Sequence, residues 1–274
     1  MKGGYKKSPV RNGFTIVEVM IFLAVSGVTF LIAANFINGK EAQTEFYQGI
    51  NQTNYQLRTI INDVSNGNYP LPYGKYIKCE PSPVGVVITS KSSPQPTTAG
   101  CIFAGSIIQS NIPGPGYTKY VIAGCQFQGC SSSFGNSPNN ISELLPIIVP
   151  SMTRTTFWSG GIQLVKLFAE QGNTSGHYYR VPSAGNLAAI GFFSNLSSPG
   201  SPSSTNQPEV YYYDQPFDTN NVASESKPLS NGYIVMCFSY NHHQGSITIG
   251  SVNGGSQTNT ALQIGNQENA QCLN

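Results

Sequence analysis

The 274-residue chain carries 14 Lys and Arg against 12 Asp and Glu, with 29 Gly and 18 Pro, and only 9% of its residues are charged. An average soluble domain has about 25% charge, so neutral polar groups must solvate this surface, as in a secreted, turn-rich β protein and unlike a cytosolic enzyme. The 14 Phe and 15 Tyr exclude a disordered chain, because disordered sequences are poor in aromatic residues.

The first element is an apolar segment, residues 14–37, with the sequence FTIVEVMIFLAVSGVTFLIAANFI and Glu18 as its single charge. At ~1.5 Å per residue it predicts a helix of about 36 Å, enough to cross a bilayer core of ~30 Å. Lys2, Lys6, Lys7 and Arg11 precede it. Such a cluster keeps the N-terminus on the cytoplasmic side and sends the chain beyond the helix outward. A secretory signal would end in a small-residue cleavage site and lose its apolar core. Here Gly13 abuts the apolar run instead, so a peptidase at the cytoplasmic face could cut there and leave the helix attached. Without the four N-terminal cations, ten basic residues face twelve acidic ones. That balance gives no support for nucleic-acid binding, which calls for a basic patch on the folded domain.

Residues 13–25, GFTIVEVMIFLAV, resemble the cleavage and methylation motif of type IV pilins and pseudopilins. The resemblance implies that residues 1–13 are a leader, that a prepilin peptidase/N-methyltransferase cuts between Gly13 and Phe14 and methylates the new Phe14 amine, and that Glu18 serves assembly. It also implies a sequence of locations: first the cytoplasmic membrane, single-pass with the head outside, then an extracellular filament. The partners would be other pilin subunits and the pilus assembly machinery. An independent argument concerns Glu18. A lone carboxylate in an apolar helix costs about 2.5 to 3.5 kcal/mol near the bilayer centre and calls for a partner. The Phe14 amine of a staggered neighbour could supply one in a dry filament core. The plainer reading is that an acid near a helix N-terminus gains about 0.3 to 1 kcal/mol from the helix dipole.

Residues 38–66 continue the helix as an amphipathic stem, with Phe46, Ile50, Leu57, Ile60, Ile61 and Val64 at helical spacing. Gly67 and Pro70 predict its end near Asn66. Many pilins carry a proline in the apolar stretch; this chain has none between Phe14 and Tyr69. From residue 67 the pattern changes to short β-prone runs at 84–89, 117–127, 162–168, 187–193, 210–213, 233–240 and 246–252. The last two flank residues 241–245 and predict a hairpin with a five-residue connection. Polar stretches at 131–140 and 197–208 predict long surface loops. The fold class is therefore α+β: a long N-terminal helix packed on a mainly antiparallel head, residues 67–274, folded as one extracytoplasmic domain. A head of this size resembles minor rather than major pilins.

Cys79, Cys101, Cys125, Cys130, Cys237 and Cys272 all come after the apolar segment, where an oxidising compartment would let them pair. Zinc is disfavoured, since the closest pair, Cys125 and Cys130, has neither CxxC spacing nor a neighbouring histidine. The family resemblance implies a Cys237–Cys272 bond, with Cys125–Cys130 and Cys79–Cys101 as local alternatives among the many pairings that six cysteines allow. His177, His242 and His243 stand without a nucleophile motif, and the glycine pairs lack a phosphate-binding context. The reading is therefore no enzyme and no cofactor. Tyr211 to Tyr213 and the pair Tyr178 and Tyr179 beside Arg180 fit packing on a sheet. They also fit an adhesive or glycan-binding surface. The leading function is a structural filament subunit. The alternative is an extracellular adhesin or DNA-uptake module, with a cell surface or glycan as partner; sparse charge disfavours the DNA version.

Overall fold

A computed structural model describes residues 14–67, 75–82, 85–92, 97–99, 101–125, 146–172, 177–182, 185–194, 208–215, 222, 226–229, 232–250, 260–265 and 272. The chain divides into two compact units, Met1–Thr44 and Glu45–Asn274. Helix α1 spans Ile16–Ser65. No proline interrupts it, and it stops at Gly67, whose φ of 63° lies in the left-handed region that suits a glycine past a helix end. The Asn66 and Gly67 amides donate to the carbonyls of Asn62 and Val64 at 2.9 and 3.2 Å. The last turn therefore closes on its own backbone.

The strands are β1 (Lys75–Ser82), β2 (Gly85–Ser92), β3 (Thr97–Ala99), β4 (Cys101–Ser110), β5 (Gly116–Cys125), β6 (Ile147–Ile148) and β7 (Arg154–Phe157). Then come β8 (Gln163–Gly172), β9 (Tyr178–Val181), β10 (Ala189–Phe193), β11 (Glu209–Tyr213), β12 (Lys227–Pro228), β13 (Gly232–Tyr240), β14 (His243–Gly250) and β15 (Thr260–Gly265). They form a small sheet in the order β2-β1-β3, a large one in the order β12-β11-β10-β4-β5-β6 with β7 also on β5, and a third in the order β15-β14-β13-β8-β9. Among the described residues every pairing is antiparallel except β1 with β3. An apolar N-terminal helix combined with antiparallel sheets makes the fold α+β. The expected long loops at 131–140 and 197–207 lie outside the described residues.

The helical stripe of Phe46, Ile50, Leu57, Ile60, Ile61 and Val64 is buried in one cluster with Val121, Ile190, Phe192 and Tyr212 of the large sheet and with Leu164, Ile234, Met236, Phe238, Ile247 and Ile249 of the third. Full burial of such side chains contributes about 1.5 to 3 kcal/mol each, which is why residues 45–65 belong to the same compact unit as the strands. Trp158 sits in this core, its ring 4.2 Å from that of Tyr117 and 5.3 Å from that of Phe238 between centroids. The large sheet buries its other face as well, through Ile107, Ile122, Ala189, Phe193, Tyr211 and Tyr213. Strands covered on both faces read as continuous apolar runs.

Gly49 of α1 meets the turn before β8 so closely that a Cβ there would lie 2.6 Å from the Ser159 carbonyl oxygen and 3.0 Å from Ile162. On the facing side, a Cβ on Gly160 would lie 2.9 Å from the Gly49 Cα, and Gly160 has a φ of 66°. Gly49→Ala is expected to destabilise the unit by about 1 to 3 kcal/mol through overpacking against backbone. Chemical denaturation of the variant checks this.

The β13–β14 hairpin differs from the five-residue connection that the sequence pattern predicts. Tyr240 pairs directly with His243, leaving only Asn241 and His242 in the turn, with φ of 42° and 68°. Positive φ at both central positions is the type I′ geometry that matches the twist of the flanking strands. Histidine is costly in that conformation and glycine is not. His242→Gly is expected to raise stability by about 1 kcal/mol, read as a higher melting temperature.

Candidate functional site

Thr15 and Glu18 build the start of α1. The Glu18 amide donates to Thr15 Oγ1 at 3.3 Å, and the Thr15 amide donates to Glu18 Oε2 at 2.9 Å. The Thr15 hydroxyl donates to the same carboxylate oxygen at 3.1 Å. Thr15 is thus the N-cap and Glu18 the third helical residue of a reciprocal capping box, which satisfies two amides that would otherwise lack partners. Thr15 is the residue that sequence reasoning missed, although the pattern T-x-x-E before an apolar run carries the signal.

Beyond this cap the N-terminal part of the helix is apolar and uncovered. Ile16–Ala34 is long and apolar enough to cross a membrane, and none of it is buried within the protein. Phe14 (86% exposed), Phe22 and Phe30 all project outward. Thr29 returns its hydroxyl to the carbonyls of Val25 and Ser26 at 2.9 Å each, so this polar group makes no demand on an apolar surrounding. Of the residues expected to serve processing and assembly, Gly13 lies outside the described residues, whereas Phe14 and Glu18 lie within one turn of each other at the start of the helix.

The cysteines are distributed through the head. Cys237 and Cys272 are joined by a disulfide with their Cα atoms 5.9 Å apart. Cys237 is buried on the face of the third sheet away from α1, with Phe168 and Val235, and Lys166 Nζ donates to the Cys272 carbonyl at 3.2 Å. Cys79 is buried and disulfide-bonded. The backbone register sets Cys101 of β4 opposite Cys125 of β5. Cys130 lies outside the described residues.

The two tyrosine groups separate. Tyr211, Tyr212 and Tyr213 are core residues. Their hydroxyls donate to Glu209 Oε2 at 2.9 Å, Gln171 Oε1 at 3.3 Å and the Val222 carbonyl at 3.0 Å, and burial pushes the Tyr211 hydroxyl well above the ordinary phenol range. Tyr178 and Tyr179, at 45% and 50% exposure, stay on the surface of β9. Beside them the Arg180 guanidinium lies 3.6 Å over the Phe168 ring, a cation–π contact.

Among the described residues no group of three or more His, Cys, Asp and Glu side chains converges as a metal site. His243 stacks on Phe46 with ring centroids 6.0 Å apart, so it serves packing at the hairpin. No protein-family model, curated protein or solved structure matches the chain.

Proposed function

We propose that this chain is a prepilin-like structural subunit. It is cut between Gly13 and Phe14, N-methylated on Phe14, held in the cytoplasmic membrane by α1, and then packed through that helix as a minor subunit of a type IV pilus or pseudopilus. The observation that carries the reading is the start of α1: a single carboxylate, Glu18, at the head of an apolar stretch, Ile16–Ala34, that buries nothing within its own protein. A helix of this kind needs a second apolar environment, and a bilayer and a bundle of like helices both provide one. Residues 45–274 meanwhile have a core of their own, so the head does not need the apolar segment to fold against.

A second reading, in which the head also binds an extracellular surface, is favoured by the exposed Tyr178 and Tyr179, since tyrosine offers a wide apolar face with a polar tip. The two readings coexist in one molecule. Mass spectrometry of the native mature N-terminus tests the first. A chain beginning at methylated Phe14 is expected; an intact Met1, or a cut beyond Ile37, would overturn it.

A further inference from the structure

Beside Gly49, helix α1 and the turn before β8 leave a groove of about 400 Å³, walled by Glu45, Gln48 and Gln52 on the helix, by Gly160 and Gly161 on the turn, and by Tyr240 at the end of β13. The Tyr240 hydroxyl donates to Glu45 Oε2 at 2.6 Å, which fixes the phenol ring as one wall and leaves the second carboxylate oxygen able to accept. Gly161 keeps its side of the groove open: a Cβ there would point towards Tyr240 at 3.6 Å. Each wall eliminates a class of ligand. Among the described residues no Lys or Arg lines the groove, and Glu45 repels anions, which argues against phosphate or nucleic acid. A single carboxylate with two amides is a poor cage for a divalent cation, which takes six or more oxygen ligands. No aliphatic side chain among the described residues lines it either, which argues against a lipid or another apolar molecule.

What fits is a neutral, hydroxyl-rich ring. Planar carboxylate and amide groups can each engage two adjacent hydroxyls, the glycine backbone admits a ligand at close range, and the tyrosine face covers the C–H side of the ring while its polar tip stays bonded. We propose that this groove binds a neutral pyranoside, with Glu45, Gln48 and Gln52 holding hydroxyls and Tyr240 packing against the ring. The volume lies within the range of small-molecule sites and suits one or two sugar rings, on the scale of about 300 to 1,000 Å³. The site goes beyond the filament reading and is tested separately from it, because the experiment uses the unassembled subunit.

The full chain, purified in a zwitterionic detergent free of sugar, would be titrated with the methyl glycosides of glucose, galactose, mannose and N-acetylglucosamine and followed by saturation-transfer NMR. A parallel arm would present the same sugars on a polyacrylamide carrier. At least one free glycoside is expected to receive saturation, most strongly at ring protons. Tighter binding on the carrier would point to a displayed surface glycan as the natural source, and equal binding to a soluble saccharide; either supports the site. Gln48 and Gln52 are exposed, so Gln48→Leu and Gln52→Leu should fold normally, and each is expected to weaken binding about tenfold, the equivalent of about 1.4 kcal/mol. Tyr55→Ser, which changes an exposed aromatic of α1 outside the groove, should bind as the parent does. The proposal is overturned if no glycoside receives saturation in either arm, if the Gln48→Leu/Gln52→Leu double variant binds unchanged, or if methyl glucuronide binds more tightly than its neutral counterpart.

Discussion

If the chain is the proposed filament subunit, Glu18→Ala is expected to leave cleavage at the Gly13–Phe14 bond intact and to abolish entry into filaments. In the single chain the carboxylate is satisfied within its own turn, by the amide and hydroxyl of Thr15. Removing that cap costs about 1 kcal/mol of local helix stability, too little to stop a helix of this length from forming. A pairing between Glu18 and the Phe14 amine of a neighbour, in a core without water, has larger stakes. Removing one partner of a buried ion pair costs about 3 to 5 kcal/mol, since the other charge is left unpaired, and in a filament the loss would recur at every contact between copies. Glu18→Gln separates the two roles. Glutamine supports a capping box as glutamate does but carries no charge. If capping were the whole role of Glu18, the Gln variant would assemble normally; if charge pairing drives assembly, Gln and Ala fail alike. Thr15→Ala is the complementary control, because it removes the cap and keeps the charge. Shear-fraction immunoblots of the four proteins, read beside the state of their N-termini, give the answer. Normal incorporation of Glu18→Ala would remove the pairing mechanism.

The helix is legible in the sequence because its signals are local. Six apolar residues at helical spacing mark the buried stripe, and Gly67 marks an end that falls at Ser65. Strands β5, β8, β10, β11 and β13 are legible as apolar runs for the same reason. Strand β4 is not, although it lies between β10 and β5 in the large sheet. Its sequence CIFAGSIIQS has no alternation to read, since both its faces are covered, and it is broken by Ala104, Gly105 and Ser106. Gly105 looks like a turn residue, yet it sits beside a register shift in mid-sheet, where a Cβ would lie 2.1 Å from the Phe192 carbonyl oxygen. Gly245 misleads in the same way. Its neighbours in sequence suggest a hairpin loop, but it continues β14 beneath the helix, where a Cβ would lie 2.8 Å from Ile50 and 3.1 Å from Phe46. In both places glycine marks a close approach across the fold, which sequence neighbours cannot report. The contact of Tyr240 with Glu45 spans 195 positions and likewise has no local signature.

Replacing both Cys237 and Cys272 with alanine is expected to lower the stability of the head by about 3 to 4 kcal/mol, because the bond closes a loop of 35 residues and so removes chain entropy from the unfolded state. For a unit of this size the melting temperature should fall by roughly 6 to 16 °C. The bond also has a packing role. It fastens Cys272 over the face of the third sheet where Phe168 and Val235 are buried, and it holds the Cys272 carbonyl where Lys166 can donate to it. Without it, those two apolar side chains lose the cover of Cys272 and keep that of Val165, Tyr233 and Arg180. Alanine is the right replacement, since serine would add a hydroxyl to a site that is almost wholly buried at Cys237. Reduction of the parent protein is a poorer test, because Cys79 is also disulfide-bonded and would be released at the same time. Non-reducing peptide mapping of the parent should join the Cys237 and Cys272 peptides, and urea titration of the double variant should show the loss. A free thiol at Cys237, or a change below about 1 kcal/mol, would show that the bond adds little to the packing of Cys272.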